Sequence, residues 1–168
     1  MKVRTAIGMV MAGSGLLALQ AVPALAAGGD HTVTMTEHQH GTWTEQGDTD
    51  FCTNELITPT ITGNSVFHET YFPAGDEVWG TFTTEGTGSF LQPSSGLTFS
   101  GRVTVWGNFN VNEKNSNDTF TATFKLSAVD GDGVTHYETG HQVFHVGYNA
   151  IDPINPIVTV EKMNVTCS

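Results

Sequence analysis

Histidines are the residues of this chain whose spacing comes nearest to a recognisable chemistry. The chain has 7 of them, and His38 and His40 are two positions apart. On a β-strand such a pair shares one face at a distance of about 7 Å, so it could hold a metal ion if another strand supplied a third ligand. Candidates for that ligand are His31, Glu37 and His136. Exposed or hydrogen-bonded histidines are the simpler interpretation, and we expect no metal and no other cofactor.

Two more histidines belong to a short internal repeat. The segments 62–71 and 139–148 share six of ten residues, which pairs Phe67 with Phe144, His68 with His145 and Tyr71 with Tyr148. If the aromatic side chains face the interior, they suit a planar or apolar ligand. In the opposite register the two histidines point inward and become candidate acid–base groups. The sequence leaves both registers open.

Motifs of common catalytic sites are missing from the sequence. It contains no Gly-x-Ser-x-Gly elbow, no His-Glu-x-x-His and no phosphate-binding loop. The Asp-Gly-Asp-Gly segment 130–133 fits a hairpin turn better than a calcium loop. Glu69, Glu85 and Glu138 could serve as the paired carboxylates of a glycosidase only if the fold brought two of them to one cleft.

The elements that position these residues are predicted by the alternation of apolar and polar residues. From Leu97 to Val111 every second residue is apolar or glycine and the residues between are polar, apart from Trp106. This period of two indicates a strand with one buried and one solvated face. Weaker versions of the pattern predict a series of strands at about 32–44, 57–72, 78–90, 97–111, 120–129, 134–148 and 157–166.

Short turn-forming segments separate the predicted strands, at 73–76, 93–96, 112–118 and 130–133. Sequential strands with such short connections form an antiparallel meander. Seven or eight strands leave two open edges unless the sheet closes, and closure into an up-and-down barrel removes both edges. We therefore expect an all-β protein with a single antiparallel up-and-down β-barrel. A sandwich or jelly roll is the alternative.

The N-terminal residues have the pattern of a secretory signal peptide. Lys2 and Arg4 precede an apolar run over 6–22, and Ala24-Leu25-Ala26 supplies a small-residue cleavage site. This predicts a cleaved signal over 1–26 and one domain over 27–168, secreted from a bacterial cell. The chain has 2 cysteines, Cys52 and Cys167, and an even pair in an exported protein indicates one disulfide.

The charge of the chain excludes several kinds of partner. Without Lys2 and Arg4, the 6 basic residues fall to 4 against 17 acidic ones, which gives a net charge of −13. Such a surface repels nucleic-acid phosphates and anionic membranes. We therefore expect neither nucleic acid nor membrane as a partner after signal cleavage, while a small apolar molecule is compatible. The oligomeric state is not indicated.

Two features of the sequence resemble known β-barrel families. Gly41-Thr42-Trp43 resembles the Gly-x-Trp signature in the first strand of lipocalins and avidins. The chain departs from that pattern because strand-like residues precede the motif and no late arginine can stack on Trp43. The layout of Cys52 and Cys167 with two Val-Phe-His segments resembles small exported actinobacterial proteins with lipocalin-like or allene-oxide-cyclase-like barrels. That resemblance implies a fold and no chemistry.

These observations favour a secreted β-barrel that binds a small, largely apolar ligand in its lumen without catalysis. The residues expected to contact the ligand are aromatic: Trp43, Phe67, Tyr71, Trp79, Phe144 and Tyr148. One alternative is a cofactor-independent cyclase or isomerase of the allene-oxide-cyclase-like type, with a histidine and a tyrosine as pocket groups: His68 or His145, and Tyr71 or Tyr148. Another is an extracellular protein-interaction or inhibitor-like module, which would present an exposed apolar patch.

Overall fold

The computed structural model describes residues 31–149 and 152–168, with side chains over 31–149 and 161–168. The predicted signal peptide over 1–26 lies outside these ranges. The described residues form no helix that is long and apolar enough to cross a membrane.

The described chain is built almost entirely of antiparallel strands, which confirms the predicted all-β class. Seven of the nine strands are long, and two form a short hairpin after the first. Their bounds are β1 Val33–Thr44, β2 Asp48–Thr49, β3 Leu56–Ile57, β4 Thr60–Phe72, β5 Glu77–Leu91, β6 Thr98–Val111, β7 Asn115–Val129, β8 Thr135–Asn149 and β9 Asp152–Cys167.

The seven long strands form one sheet in the order β1-β4-β5-β6-β7-β8-β9, so each pairs with the next long strand along the chain. The hairpin of β2 and β3 is a separate two-stranded ladder. In the part of the chain that the structure describes, β1 and β9 stand at the two ends of this order and no ladder joins them. The predicted meander is confirmed, whereas the closure into a barrel is not.

One predicted turn is longer than the observed one. We expected a separator over 112–118, but β7 already begins at Asn115. The Oδ1 atom of Asn112 accepts hydrogen bonds from the backbone N–H groups of Lys114 (2.9 Å) and Asn115 (3.0 Å), which closes a tight turn. The polar start of β7 then pairs with both β6 and β8. These ladder contacts outweigh its low intrinsic strand propensity.

One face of the sheet, which we call the core face, carries the hydrophobic core. On β6 the residues Phe99, Val103 and Val105 are only 2–3 % exposed, as the alternation predicts. Phe90 stacks on Phe99 with ring centroids 5.4 Å apart. The rest of the buried cluster comes from β3 and β7: Ile57, Phe120, Ala122, Leu126 and Ala128. We call the opposite face of the sheet the polar face.

A pair of glycines brings two strands close together on the core face. Gly63 of β4 and Gly86 of β5 are direct cross-strand partners. A Cβ atom on Gly63 would overlap the backbone carbonyl oxygen of Glu85. The sheet therefore requires glycine at this crossing, where no side chain would fit.

A disulfide ties the β2–β3 hairpin region to the last strand. Cys52 and Cys167, which are 115 residues apart, are bonded, and this confirms the predicted pairing. Beside the bond, Ser168 exchanges two backbone hydrogen bonds with Tyr137, of 2.6 and 3.0 Å. We call this end of the sheet the disulfide end. A disulfide of this kind fits an extracellular protein.

Candidate functional site

The structure distinguishes the two registers that the sequence left open for the repeated segments. Phe67 is 7 % exposed and stacks on Phe82 with ring centroids 6.2 Å apart. Phe144 stacks on Phe120 at 4.9 Å and packs against the core cluster. Because side chains alternate along a strand, His68 and His145 lie on the polar face.

The histidines and tyrosines proposed for a cyclase do not share a face. Tyr71 lies three residues after His68, and Tyr148 lies three residues after His145, so each pair points to opposite sides of the sheet. The hydroxyl of Tyr71 donates to Oδ1 of Asp76 at 3.2 Å. This geometry brings no histidine–tyrosine pair together within either strand.

The remaining residues predicted to contact a ligand lie in different surroundings. Trp43 is half-buried, and its strand position beside Ile61 places it on the core face. Tyr148 is also half-buried. Trp79 lies on the polar face, is 53 % exposed and makes an edge contact with Phe72, with ring centroids 5.7 Å apart. Five of the six aromatic residues therefore share the core face, and Trp79 lies on the polar face.

The two histidines considered as metal ligands are both exposed. Nδ1 of His40 is hydrogen-bonded to Oδ1 of Asn64 at 2.9 Å. Over the described residues, the potential metal ligands that lie within 4.8 Å of one another are Asp50, Cys52 and Glu138, a group without His38 or His40. Cys52 is committed to the disulfide, so this group offers a metal only two carboxylates.

The polar face carries an open groove with a volume of about 520 Å³. Its lining comes from five consecutive strands, β4 to β8, and consists of His68, Thr70, Trp79, Gly80, Thr81, Asn108, Phe109, Asn110, Asn117, Thr119 and His145. The register places most of these side chains in two neighbouring cross-strand rows. One row runs from His68 across β5, β6 and β7 to His145, and the adjoining row contains Trp79. The repeated histidines thus lie at the two sides of one groove.

A threonine from a neighbouring strand orients each histidine of the groove. The hydroxyl of Thr36 is hydrogen-bonded to Nδ1 of His68 at 2.8 Å, and that of Thr119 to Nδ1 of His145 at 2.6 Å. The internal repeat is therefore matched by an equivalent contact. Because Nδ1 is engaged in both rings, Nε2 is the nitrogen that can meet a ligand.

Carboxamides form the middle of the groove. Nδ2 of Asn117 donates to Oδ1 of Asn110 at 3.1 Å, which orients both amides. Asn108 lies beside them on β6, between Thr81 and Thr119 in the register. Each amide can donate and accept hydrogen bonds, so the groove presents both kinds of group side by side.

The groove is lined by uncharged groups and two histidines. Among its lining residues, all within the described part of the chain, none has a carboxylate, an amine or a guanidinium group. Asp118 is next to Thr119 in sequence but points to the other face, where burial raises the pKa of its carboxyl and the charge of His145 opposes that shift.

The disulfide end contains a second concentration of polar groups, and these are buried. Asp50 is 1 % exposed and Glu138 is 4 % exposed. Nε2 of Gln92 donates to Oδ2 of Asp50 at 2.8 Å and to Oε1 of Glu138 at 3.4 Å. An open pocket of about 630 Å³ lies beside the disulfide, and Glu138 and Gln92 are part of its lining.

Asp50 has a structural role in this cluster. Its Oδ1 accepts the backbone N–H of Cys52 at 2.7 Å, and its Oδ2 accepts the hydroxyl of Thr53 at 2.8 Å. Burial raises the pKa of Glu138 to about 7, and the nearby charge of Asp50 adds to the shift. Glu138 therefore takes up a proton more readily than an ordinary carboxyl, while the oxygens of Asp50 are occupied by donors of the protein itself.

A hydrogen bond between two further polar side chains lies on the same side of the molecule. Nε2 of His136 and Oδ2 of Asp130 are 2.8 Å apart. The hydrogen bond to His136 lowers the pKa of Asp130 below its usual range. Asp130 also accepts the backbone N–H groups of Asp132 and Val134, as expected of a hairpin turn rather than a calcium loop.

Comparisons of the chain with protein-family models, with curated proteins and with solved structures find no match. The resemblance to lipocalin-like and allene-oxide-cyclase-like barrels therefore stays a prediction.

The histidines of the groove could be predicted from the sequence, but its amides were not among the predicted site residues. Asn108 and Asn110 alternate with core residues on β6, and Asn117 was assigned to a turn. The alternation does indicate a shared polar surface, because Trp106, Asn108 and Asn110 occupy successive positions on the solvated face of one strand. Asp50 and Gln92 gave no comparable signal, since their partner Glu138 is distant in sequence.

Proposed function

We propose that this chain is an extracellular, non-catalytic binding protein that takes a neutral sugar in the groove between His68 and His145. The observation that carries the proposal is the composition of the groove: amide, hydroxyl and imidazole groups beside the exposed indole of Trp79. A sugar presents hydroxyl groups that both donate and accept, and C–H faces that pack on an aromatic ring. The groove offers a counterpart to each.

The state of the hydrogen-bonding groups supports a polar ligand. The contacts of Thr36 and Thr119 orient the two imidazoles, and the contact between Asn110 and Asn117 orients two amides. Groups held in this way lose little rotational freedom when a ligand binds, and this lowers the entropic cost of binding.

Export is part of the proposal. The bond between Cys52 and Cys167 fits an oxidising compartment, and the predicted signal peptide over 1–26 supplies a route to it. Sugars are abundant outside cells, so an acidic, disulfide-bonded protein with an open polar groove is suited to that setting.

Binding of an apolar ligand in the lumen of a closed barrel, as predicted from the sequence, stays a prediction. It requires β1 and β9 to meet, although they are the two ends of the strand order. It also requires Phe67 and Phe144 to contact the ligand, although each ring stacks on another ring of the sheet. The groove needs no such rearrangement, and we therefore prefer it.

A nuclear magnetic resonance titration with neutral monosaccharides and disaccharides of glucose, galactose, mannose and N-acetylglucosamine tests the proposal. We expect at least one sugar to shift the side-chain amide signals of Asn108, Asn110 and Asn117 in a saturable way. The variant Trp79→Ala should lower the affinity for that sugar about tenfold, because a stacked tryptophan often dominates a binding site.

The matched control is Trp43→Phe, which changes a tryptophan on the core face. It should leave the sugar affinity unchanged. Absence of saturable shifts with every sugar of the panel would contradict the proposal, as would an equal loss of affinity in Trp43→Phe and Trp79→Ala.

A further inference from the structure

A second tryptophan is exposed on the polar face, next to the groove. Trp106 is 52 % exposed and precedes Asn108 by two residues on β6. Its cross-strand partners are Thr83 and Thr121, so it lies in the row that adjoins the row of the two histidines. Tryptophan is among the residues most enriched at binding hot spots.

The two exposed tryptophans are too far apart for one sugar ring. Trp79 is the cross-strand partner of Asn110, which lies four residues beyond Trp106 on β6. By the rise along a strand and the spacing between strands, their Cα atoms are about 14 Å apart. At this spacing, a ligand with several linked rings can stack on both indoles at once.

The groups between the two tryptophans suit such a chain. Thr81 and Asn108 are cross-strand partners in the intervening row, and both line the groove. From this placement we infer that the binding surface continues from the groove to Trp106, and that the ligand is a neutral, linear polysaccharide. The inference rests on the proposed sugar-binding function and names its ligand class.

The charge of the protein selects a neutral polysaccharide over an acidic one. The sequence has 17 acidic and 6 basic residues, so the field around the protein repels polyanions. The nearest cations of the polar face on β6 and β7 are Arg102 and Lys125, which face each other two rows away from Trp106. Lys162 lies in the row of Trp106, but three strands away on β9. Nη2 of Arg102 is 3.9 Å from Oε2 of Glu85, which offsets one of these charges.

The shape of the groove agrees with a chain-like ligand. It is open to solvent along the sheet face, and its lining spans β4 to β8. A site that surrounds one small molecule would be enclosed, whereas an open surface lets a polymer enter and leave at both ends.

The dependence of affinity on the length of the oligosaccharide tests the inference. The full exported protein is titrated by calorimetry with mono-, di-, tetra- and hexasaccharides of the neutral sugar that binds best, and with oligogalacturonate as the acidic probe. For the unmodified protein, we expect the hexasaccharide to bind about tenfold or more tightly than the disaccharide, as two stacked rings contribute. Oligogalacturonate should bind more weakly than the neutral chain of equal length.

Three variants test whether Trp106 causes the gain in affinity with oligosaccharide length. Trp106→Ala should abolish the gain with chain length while keeping the disaccharide affinity, and Trp106→Phe should retain part of the gain. Leu91→Ala removes an exposed apolar side chain elsewhere and should change nothing, since Leu91 is 56 % exposed at the end of β5.

The possible results distinguish a failure of the polysaccharide inference from a failure of the sugar-binding proposal. Equal affinity for short and long sugars would overturn the polysaccharide inference and leave the sugar-binding proposal standing. Preference for oligogalacturonate, or a gain with length that survives in Trp106→Ala, would also overturn it. Failure of every sugar to bind would overturn the proposed function itself.

Discussion

The two ends of the sheet use polar side chains in opposite ways. At the disulfide end, Asp50, Gln92 and Glu138 are buried, and Gln92 donates a hydrogen bond to each of the two carboxyl groups. In the groove, His68 and His145 each have Nδ1 hydrogen-bonded to a threonine, and both side chains line the open space. Polar groups whose partners are all internal stabilise a fold, whereas groups that are oriented but only partly satisfied are suited to binding.

The largest expected effect is the loss of folding stability when the disulfide is removed. Replacing both cysteines (Cys52→Ala with Cys167→Ala) frees a loop of 115 residues. In the chain-entropy description this costs about 5 kcal/mol of folding free energy. Urea denaturation measures the loss. Sugar binding by the folded fraction should persist, because the groove lies away from the disulfide.

If the urea midpoint of the double variant equals that of the unmodified protein, the disulfide contributes nothing to stability. If sugar binding disappears while the protein stays folded, the two ends are coupled and the comparison between them fails.

The next effect is the pH dependence of the buried carboxylate pair. Burial raises the pKa of Glu138 to about 7 in the folded protein, above its ordinary value. The protonated side chain is therefore the favoured form in the fold. Its contribution to stability is complete below the ordinary carboxyl range and is lost as the pH rises through about 7.

Glu138→Gln removes this titration while keeping the shape of the side chain. We expect the variant to be more stable than the unmodified protein above neutral pH by roughly 1 to 3 kcal/mol, with the difference shrinking in acid. Urea midpoints across the pH range measure it. Burial also raises the pKa of Asp48, but that contribution cancels because both proteins contain it.

Glu85→Gln is the matched control, since Glu85 is exposed and only loosely paired with Arg102 at 3.9 Å. It should change stability by less than about 1 kcal/mol at any pH. A pH profile of Glu138→Gln parallel to that of the unmodified protein would mean that Glu138 ionises normally.

The smallest effect concerns the threonines that orient the histidines. Thr119→Val and Thr36→Val each remove one hydrogen bond to an imidazole Nδ1, so each should cost about 1 kcal/mol or less in stability. Sugar affinity should fall a few-fold in both, because the ring that meets the ligand is no longer held. Thermal denaturation and the resonance titration measure the two effects.

Thr42→Val is the control for this pair. Thr42 is hydrogen-bonded to the hydroxyl of Thr62 at 2.9 Å on the same strands as the Thr36–His68 contact, and neither residue lines the groove. The variant should have a similar stability and an unchanged sugar affinity. An equal loss of affinity in Thr42→Val would show that the threonine contacts act only through stability.

Much of the fold could be predicted from the sequence because alternation reports burial directly. The predicted strand over 97–111 matches β6 at Thr98–Val111, and the predicted strand over 134–148 matches β8 at Thr135–Asn149. Closure could not be predicted, since alternation tells which side chains are buried but not whether the first and last strands meet. The start of β7 was missed because ladder pairing with two neighbours outweighs local composition.

The candidate site could be predicted only in part, for a related reason. The repeat identified His68 and His145, but their face depended on a register that one strand alone does not specify. The proximity of Asp50 and Glu138 could not be predicted from the sequence, because the disulfide and Gln92 bring the two carboxyl groups together. Contacts between distant segments carry no local periodicity.

The order of the strands has a consequence for how the sheet is assembled. Because each long strand pairs with the next long strand, most hydrogen bonds join segments that are close in sequence. Closing such short loops costs little chain entropy, so hairpins can be added one after another. The sheet can therefore form by adding one strand after another to its edge. The disulfide between residues 52 and 167 then links segments that are distant in sequence.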